Sequence, residues 1–176
     1  MNKDELRKII KQRKRQFSSK QLENMSFCIM SKLLDHPKIK KAKTILIYHS
    51  LPDEVYTHSA ILKLQNEGKT LVLPAVIGNG TMETREYKNT QELKTGAFNI
   101  KEPSGKQYTD LKNIDVAVIP GVAFDIHNNR LGRGKGYYDK FLPSIPQAYK
   151  IGICFDFQKL QKVPTDTNDI CMDEVL

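Results

Sequence analysis

Apolar positions along this chain recur at two periods, and the switches between them mark out the elements. Residues 3 to 16 carry Leu6, Ile9, Ile10 and Arg13 at helical spacing, with Phe17 closing the stripe. Ser18 and Gln21 read as a capping box opening a second helix. Its buried face is Leu22, Met25, Ile29 and Leu33, and it ends near His36-Pro37. Thr44 to His49, Asp115 to Pro120 and Lys150 to Phe155 are short apolar runs dense in β-formers, which predicts buried strands. Between the first two, Thr57 caps a helix built on Ile61, Leu62 and Leu64 that Gly68 stops. Thr70 to Leu73 is a further strand running into Pro74. The turn Ile77-Gly78-Asn79-Gly80 leads into an antiparallel strand, Met82 to Tyr87. A short helix is expected from Thr90 to Lys94, and Tyr137 to Leu142 starts another before Pro143. Strands alternating with helices predict an α/β fold with a mainly parallel sheet. With no internal repeat or low-complexity segment, residues 1–176 are expected to form one domain.

Composition narrows this picture. A 176-residue chain is long enough to bury a core without staples. No run of ~18 apolar residues is present, so no membrane helix is expected. The N-terminus is charged from residue 3 and lacks a signal-peptide core, and Cys28, Cys154 and Cys171 are odd in number and far apart. Both features predict a cytoplasmic, reducing location and argue against a zinc site. The formal charge of +8 is unevenly spread. Residues 1 to 20 hold eight Lys/Arg against Asp4 and Glu5, and residues 127 to 140 hold four against Asp139. Such a surplus attracts an anionic partner without choosing among nucleotide, polyglutamate and nucleic acid.

The chemistry concentrates in residues 120 to 139. There Gly132, Gly134 and Gly136 alternate with Arg133 and Lys135. Glycines let backbone amides converge on an anion, and the interleaved cations add charge. A strand upstream and a helix downstream place this anion site at a helix entrance. It is not a Walker A loop, because Lys135 is followed by Gly136 rather than Ser or Thr, and it is not G-x-G-x-x-G. Any magnesium would then rest on carboxylates, with Asp139 nearest. From the residues alone, a phosphate pocket and a basic loop that meets RNA or solvent both remain open. Taken alone, Lys3 and Arg7 on one helix face read as a solvated basic stripe, and Glu54 as an exposed loop acid.

The run Arg130-Leu131-Gly132-Arg133-Gly134-Lys135-Gly136-Tyr137-Tyr138-Asp139, preceded by P-G-V-A-F-D, resembles the 5-formyltetrahydrofolate cyclo-ligase family. The likeness extends along the chain. Lys3 and Arg7 resemble its N-terminal K-x-x-x-R, and His49 to Glu54 its substrate loop. Gly96 to Pro103 resembles its G-x-x-x-I-x-E-P segment, and Val163-Pro164 through Asp169 its closing motif. Phe98 stands where many members carry Trp. The resemblance implies a three-layer α/β/α Rossmann-like domain. It also implies that ATP and Mg2+ drive closure of 5-formyltetrahydrofolate to 5,10-methenyltetrahydrofolate through a phosphorylated imidate. By the same likeness, Lys3, Arg7 and Arg130 through Tyr138 bind ATP, with Arg133 and Lys135 catalytic. His49, Glu54 and Arg133 to Tyr137 contact the folate, which could be polyglutamylated, and Asp139 and Asp169 hold the metal. A monomer acting on a small molecule, without nucleic acid or membrane, is expected. The alternatives are a basic nucleic-acid-binding module, or another small-molecule phosphotransferase on the same fold.

Overall fold

The computed structural model describes residues 1–78, 80–89, 93–95 and 101–176, with backbone alone at 101 and 102. Its helices are α1 (Lys3–Lys14), α2 (Ser19–Asp35), α3 (Pro37–Lys41), α4 (His58–Asn66) and α5 (Tyr137–Phe141). The main sheet contains β1 (Thr44–Ile47), β2 (Thr70–Val76), β3 (Met82–Tyr87), β6 (Val116–Pro120), β9 (Tyr149–Ile153) and β11 (Glu174–Val175). Two short strands, β4 (Leu93–Thr95) and β5 (Lys101–Pro103), pair with each other. A separate three-stranded sheet joins β7 (Ala123–Asp125), β8 (Arg130–Leu131) and β10 (Lys159–Leu160).

The main sheet runs β11-β9-β6-β1-β2-β3, and every pair is parallel except β2–β3. Both of its faces are covered, so its strands are continuous apolar runs whose alternate residues serve different cores. Ile45, Ile47, Leu71, Leu73, Val116 and Val118 face α2, α3 and α4. Leu46, Val72, Ala117 and Ile119 face the opposite layer of Phe124, Phe141, Leu142 and Ile145. This is the expected mixed α/β fold with a mostly parallel sheet. Its second outer layer is thin, because α5 has only five residues. Pro74 is tolerated inside β2 because pairing with β1 ends at Val72, leaving no β1 partner beside it.

The helix α1 packs Leu6 and Ile10 against Ala123 and Leu131 of the small sheet and Val163 beyond it. It is capped by Asn2, whose side chain accepts from Glu5 N–H while Glu5 returns the bond, a box the apolar pattern did not reveal.

Several local expectations are corrected. The Ser18–Gln21 box is present, but the buried face of α2 is Leu22, Ser26, Met30 and Leu33, with Met25 and Ile29 only partly covered. Ser26 belongs inside because its hydroxyl donates to Leu22 O and accepts from Tyr56 N–H. Thr57 is the N-cap residue of α4, its carbonyl accepting from Ile61 N–H, but its side chain makes no capping bond. Its hydroxyl instead donates to the Tyr48 carbonyl and accepts from Ser50 N–H, tying the loop after β1 to itself. Leu62 is exposed, and Ala60 completes the α4 face. Of the helix expected over Thr90 to Lys94, Leu93 and Lys94 are strand instead, in Leu93–Thr95, and 90–92 lie outside the described residues. Phe98 and residues 96–100 also lie outside them. Among the described residues no helix is long and apolar enough to cross a membrane.

Candidate functional site

The chain order of the main sheet reverses at β1: α4 leads from it to β2 on one side, while β6 lies on the other. Ligands in open α/β sheets bind at such a switch point, beyond the carboxyl ends of the strands. A cavity of about 360 Å³ occupies that place. Its floor comes from the strand ends, with Tyr48 after β1, Pro74 and Val76 on β2, and Pro120 and Gly121 at β6. Glu54 and Leu51 line one side, and Arg130, Gly132, Arg133, Lys135, Gly136, Tyr137 and Tyr138 the other.

The glycine loop is built from β8 outward. Leu131 turns its side chain into the core beside α1, so it can serve a ligand only through its backbone. Gly134 and Gly136 have φ of +96° and +70°, conformations that side-chain-bearing residues rarely adopt. At five residues, α5 is too short to supply the helix dipole of the expected entrance site. The positive charge therefore comes from side chains.

Arg130 is 4% exposed, donating from one terminal nitrogen to Asp139 Oδ2 at 2.8 Å and from the other to Pro120 O at 3.3 Å. Its Nε–H is buried without a hydrogen-bond acceptor. An unsatisfied buried donor costs about 1–3 kcal/mol, a cost the fold bears at a residue that also lines the cavity. Arg133 reaches across to Glu54 Oε1, with Nε at 3.3 Å and a terminal nitrogen at 2.9 Å. Burial alone would lower the Arg133 pKa, but Glu54 and Asp53 raise it on balance. Glu54 is fixed in turn by Leu51 N–H, which donates to Oε2 at 2.9 Å. Burial, followed by the nearby Glu54 charge, pushes the Tyr138 hydroxyl well above its ordinary pKa, so it stays protonated.

From α1, Arg7 donates Nε–H to Gly132 O at 2.9 Å, while Lys3 contacts Asp166 and Asp169 at 2.6 and 2.5 Å. Of the two acids expected to hold metal, Asp139 lies against the segment that carries the other: Ile170 N–H, next to Asp169, donates to Asp139 Oδ1 at 3.3 Å. Each also faces a cation, Asp139 meeting Arg130 and Asp169 meeting Lys3. Among the described residues no cluster of three or more His, Cys, Asp or Glu forms a metal cage. Carboxylates nevertheless suit Mg2+, which takes one or two such ligands and completes its shell with phosphate and water.

His49 is not on the cavity wall. Its ring stacks on His58 at 3.6 Å between centroids. Sequence reasoning missed Asp53, which pairs with both Lys14 and Arg133. It also missed the apolar wall of Pro74, Val76 and Met82, which no motif marks.

Residues 1–176 match the model of the 5-formyltetrahydrofolate cyclo-ligase family. A probable 5-formyltetrahydrofolate cyclo-ligase of Schizosaccharomyces pombe is 30% identical over 193 residues, covering 100% of this chain and 95% of that protein. The Escherichia coli K12 5-formyltetrahydrofolate cyclo-ligase is 30% identical over 175 residues, 96% of each. Among solved structures, 5,10-methenyltetrahydrofolate synthetase of Aquifex aeolicus superposes with a TM-score of 0.87 at 33% identity, over 99% of this chain and 89% of that one. The Mycoplasma pneumoniae 5,10-methenyltetrahydrofolate synthetase gives 0.80 at 29%, over 99% and 98%.

Proposed function

The chain belongs to the 5-formyltetrahydrofolate cyclo-ligase family and is a ligase, and from that premise we propose that it closes 5-formyltetrahydrofolate to 5,10-methenyltetrahydrofolate at the expense of ATP, releasing ADP and phosphate. The observation that carries this reading is the convergence of Arg130, Arg133 and Lys135 on one cavity that also contains the carboxylate of Glu54. One side of the cavity suits phosphate, and the other suits the N–H donors of a pterin edge, since a carboxylate only accepts.

In the proposed reaction the formyl oxygen attacks the γ-phosphorus and the bond to ADP breaks, its electron pair leaving on ADP. N10 then attacks the activated formyl carbon, the C–O bond to phosphate breaks, and the N10 proton departs. No protein nucleophile is required. The chain's part is alignment and charge neutralisation. Arg133 offers phosphate a planar fork and Lys135 a mobile point charge. Arg130, fixed by Asp139 and Pro120 O, adds a further positive charge on the cavity wall. Arg7 holds the loop by its backbone and lies with Lys3 on the nucleotide side. Asp139 and Asp169 would hold Mg2+, which when bound neutralises phosphate charge.

Of the eight N-terminal cations, Lys3, Arg7 and Lys14 are directed at Asp169, Gly132 and Asp53, while Lys8, Lys11, Arg13, Arg15 and Lys20 are exposed. The three inward-directed cations favour the small-molecule reading over a nucleic-acid module. Mixing the protein with ATP, Mg2+ and 5-formyltetrahydrofolate is expected to produce the near-ultraviolet band of the methenyl product. If no band appears from folded protein with all three present, the reading fails.

A further inference from the structure

Asp53 lies outside the cavity wall yet ties together two elements that flank it. Its Oδ1 accepts from a terminal nitrogen of Arg133 at 2.9 Å, and its Oδ2 from Lys14 Nζ, at the end of α1, at 3.0 Å. The same Arg133 nitrogen donates to Glu54 Oε1 at 2.9 Å, and Nε–H adds a longer bond of 3.3 Å to that oxygen. One guanidinium is thus shared between successive carboxylates, and of the two it is Glu54 that lines the cavity. Burial works against the Asp53 charge, but Lys14 and Arg133 hold its pKa below the ordinary value, so it stays ionised at neutral pH. Lys14, with a side chain 17% exposed, is the more sheltered partner and Asp53, at 47%, the more open one. This backs the carboxylate with a fixed cation on the side away from the loop.

The geometry points to Asp53 as a positioning residue that shares the terminal nitrogen of Arg133 and so loosens its hold on Glu54, which leaves Glu54 available to the folate. This rests on the proposed role of Glu54 as acceptor for the pterin. With Asp53 ionised, one terminal nitrogen of Arg133 is shared between two acids, and Arg133 keeps Asp53 as a partner when a ligand takes Glu54. With that charge removed, Arg133 has Glu54 alone, and folate must compete with an intramolecular cation for the same oxygens. Asp53 acts through Arg133 and touches no reacting atom. Half-exposed ion pairs contribute little to stability, so its removal leaves the fold standing.

The test is the Kd of 5-formyltetrahydrofolate by calorimetry, a readout that works for inactive variants. Asp53→Asn is expected to weaken folate binding about fivefold, the upper end of what an exposed pair is worth, with an unchanged melting point. Asp53→Glu should restore most of the affinity, and Lys14→Gln should weaken binding in the same direction. In an Arg133→Ala background, Asp53→Asn should have no further effect, because the competing cation is gone. Unchanged affinity in Asp53→Asn, or the same fivefold loss without Arg133, overturns the assignment. If Glu54→Gln binds folate as tightly as the parent, the reading of the site fails instead.

Discussion

Arg7 reaches the Gly132 carbonyl with its Nε–H at 2.9 Å, so the first helix grips the glycine loop by its backbone. The two residues are 125 positions apart, and contact is possible because Leu6 and Ile10 seat α1 on the sheet containing β8. A Cβ on Gly134 would lie 3.4 Å from Arg7 Cζ, so the guanidinium packs flat along the loop.

Arg7→Lys should therefore harm the nucleotide site more than the fold. An ammonium retains the charge but not the planar Nε–H that meets Gly132. Hydrogen bonds to charged groups are worth about 1.5–3 kcal/mol, so the KM for ATP is expected to rise roughly 10–100-fold with the melting point nearly unchanged. Initial rates at varied ATP decide it, and an unaltered ATP KM removes the Arg7–Gly132 bond from nucleotide binding.

Gly134→Ala tests the loop's backbone directly. At φ +96° a side chain is strained by about 1–3 kcal/mol, and the loop relieves that strain by moving. Turnover should fall at least tenfold, while thermal melting, set by the cores on both sheet faces, shifts only a few degrees. Wild-type turnover in folded Gly134→Ala protein means the observed loop conformation is not the one that works.

Lys135→Ala removes a point charge on the cavity wall without touching either core. Losing one group aimed at developing charge costs about 10²–10³ in turnover. That loss, with normal folding by circular dichroism, is the expected result, and near-normal turnover dismisses Lys135 from the mechanism.

What was legible in the sequence were features that residues declare locally. Ile45 to Ile47 and Val116 to Ile119 are apolar without interruption because both faces of their strands are covered. Ser18 and Gln21 form their box within four residues. The glycine loop stood out because its residue types are costly elsewhere. Features created by distant pairing were hidden. Strand β10 exists because Lys159 and Leu160 meet Phe124 and Asp125, and nothing in two residues announces a strand. Thr57 reads as a helix cap, but Tyr48 O and Ser50 N–H compete successfully for its hydroxyl. Asp53 looks like an ordinary turn acid until the fold brings Lys14 and Arg133 to it.

The turn that launches β8, and with it Arg130, hangs on Asp125, which gives the last prediction. Asp125 is buried, its Oδ1 accepting from His127 N–H at 2.9 Å and Asn129 N–H at 3.0 Å. Its Oδ2 accepts from the Asn129 side chain at 3.0 Å and from Val163 N–H at 2.9 Å. Burial pushes its pKa up, but the Asn129 side-chain bond and the three backbone bonds outweigh it and leave a net lowering. A carboxylate with a depressed native pKa stabilises the fold above its unfolded pKa of about 3.9, and that contribution disappears as pH falls through the lower native value. Asp125→Asn keeps the shape, but its amide turns an N–H pair toward backbone donors. It should cost about 1–3 kcal/mol at pH 7. It should also flatten the melting-point curve at acid pH without abolishing its slope, because Asp53, Asp156 and Asp169 are lowered too. Melting the two proteins by circular dichroism from pH 7 down to pH 3 measures both effects. If both lose stability in parallel across that range, Asp125 is not among the groups whose protonation loosens the turn.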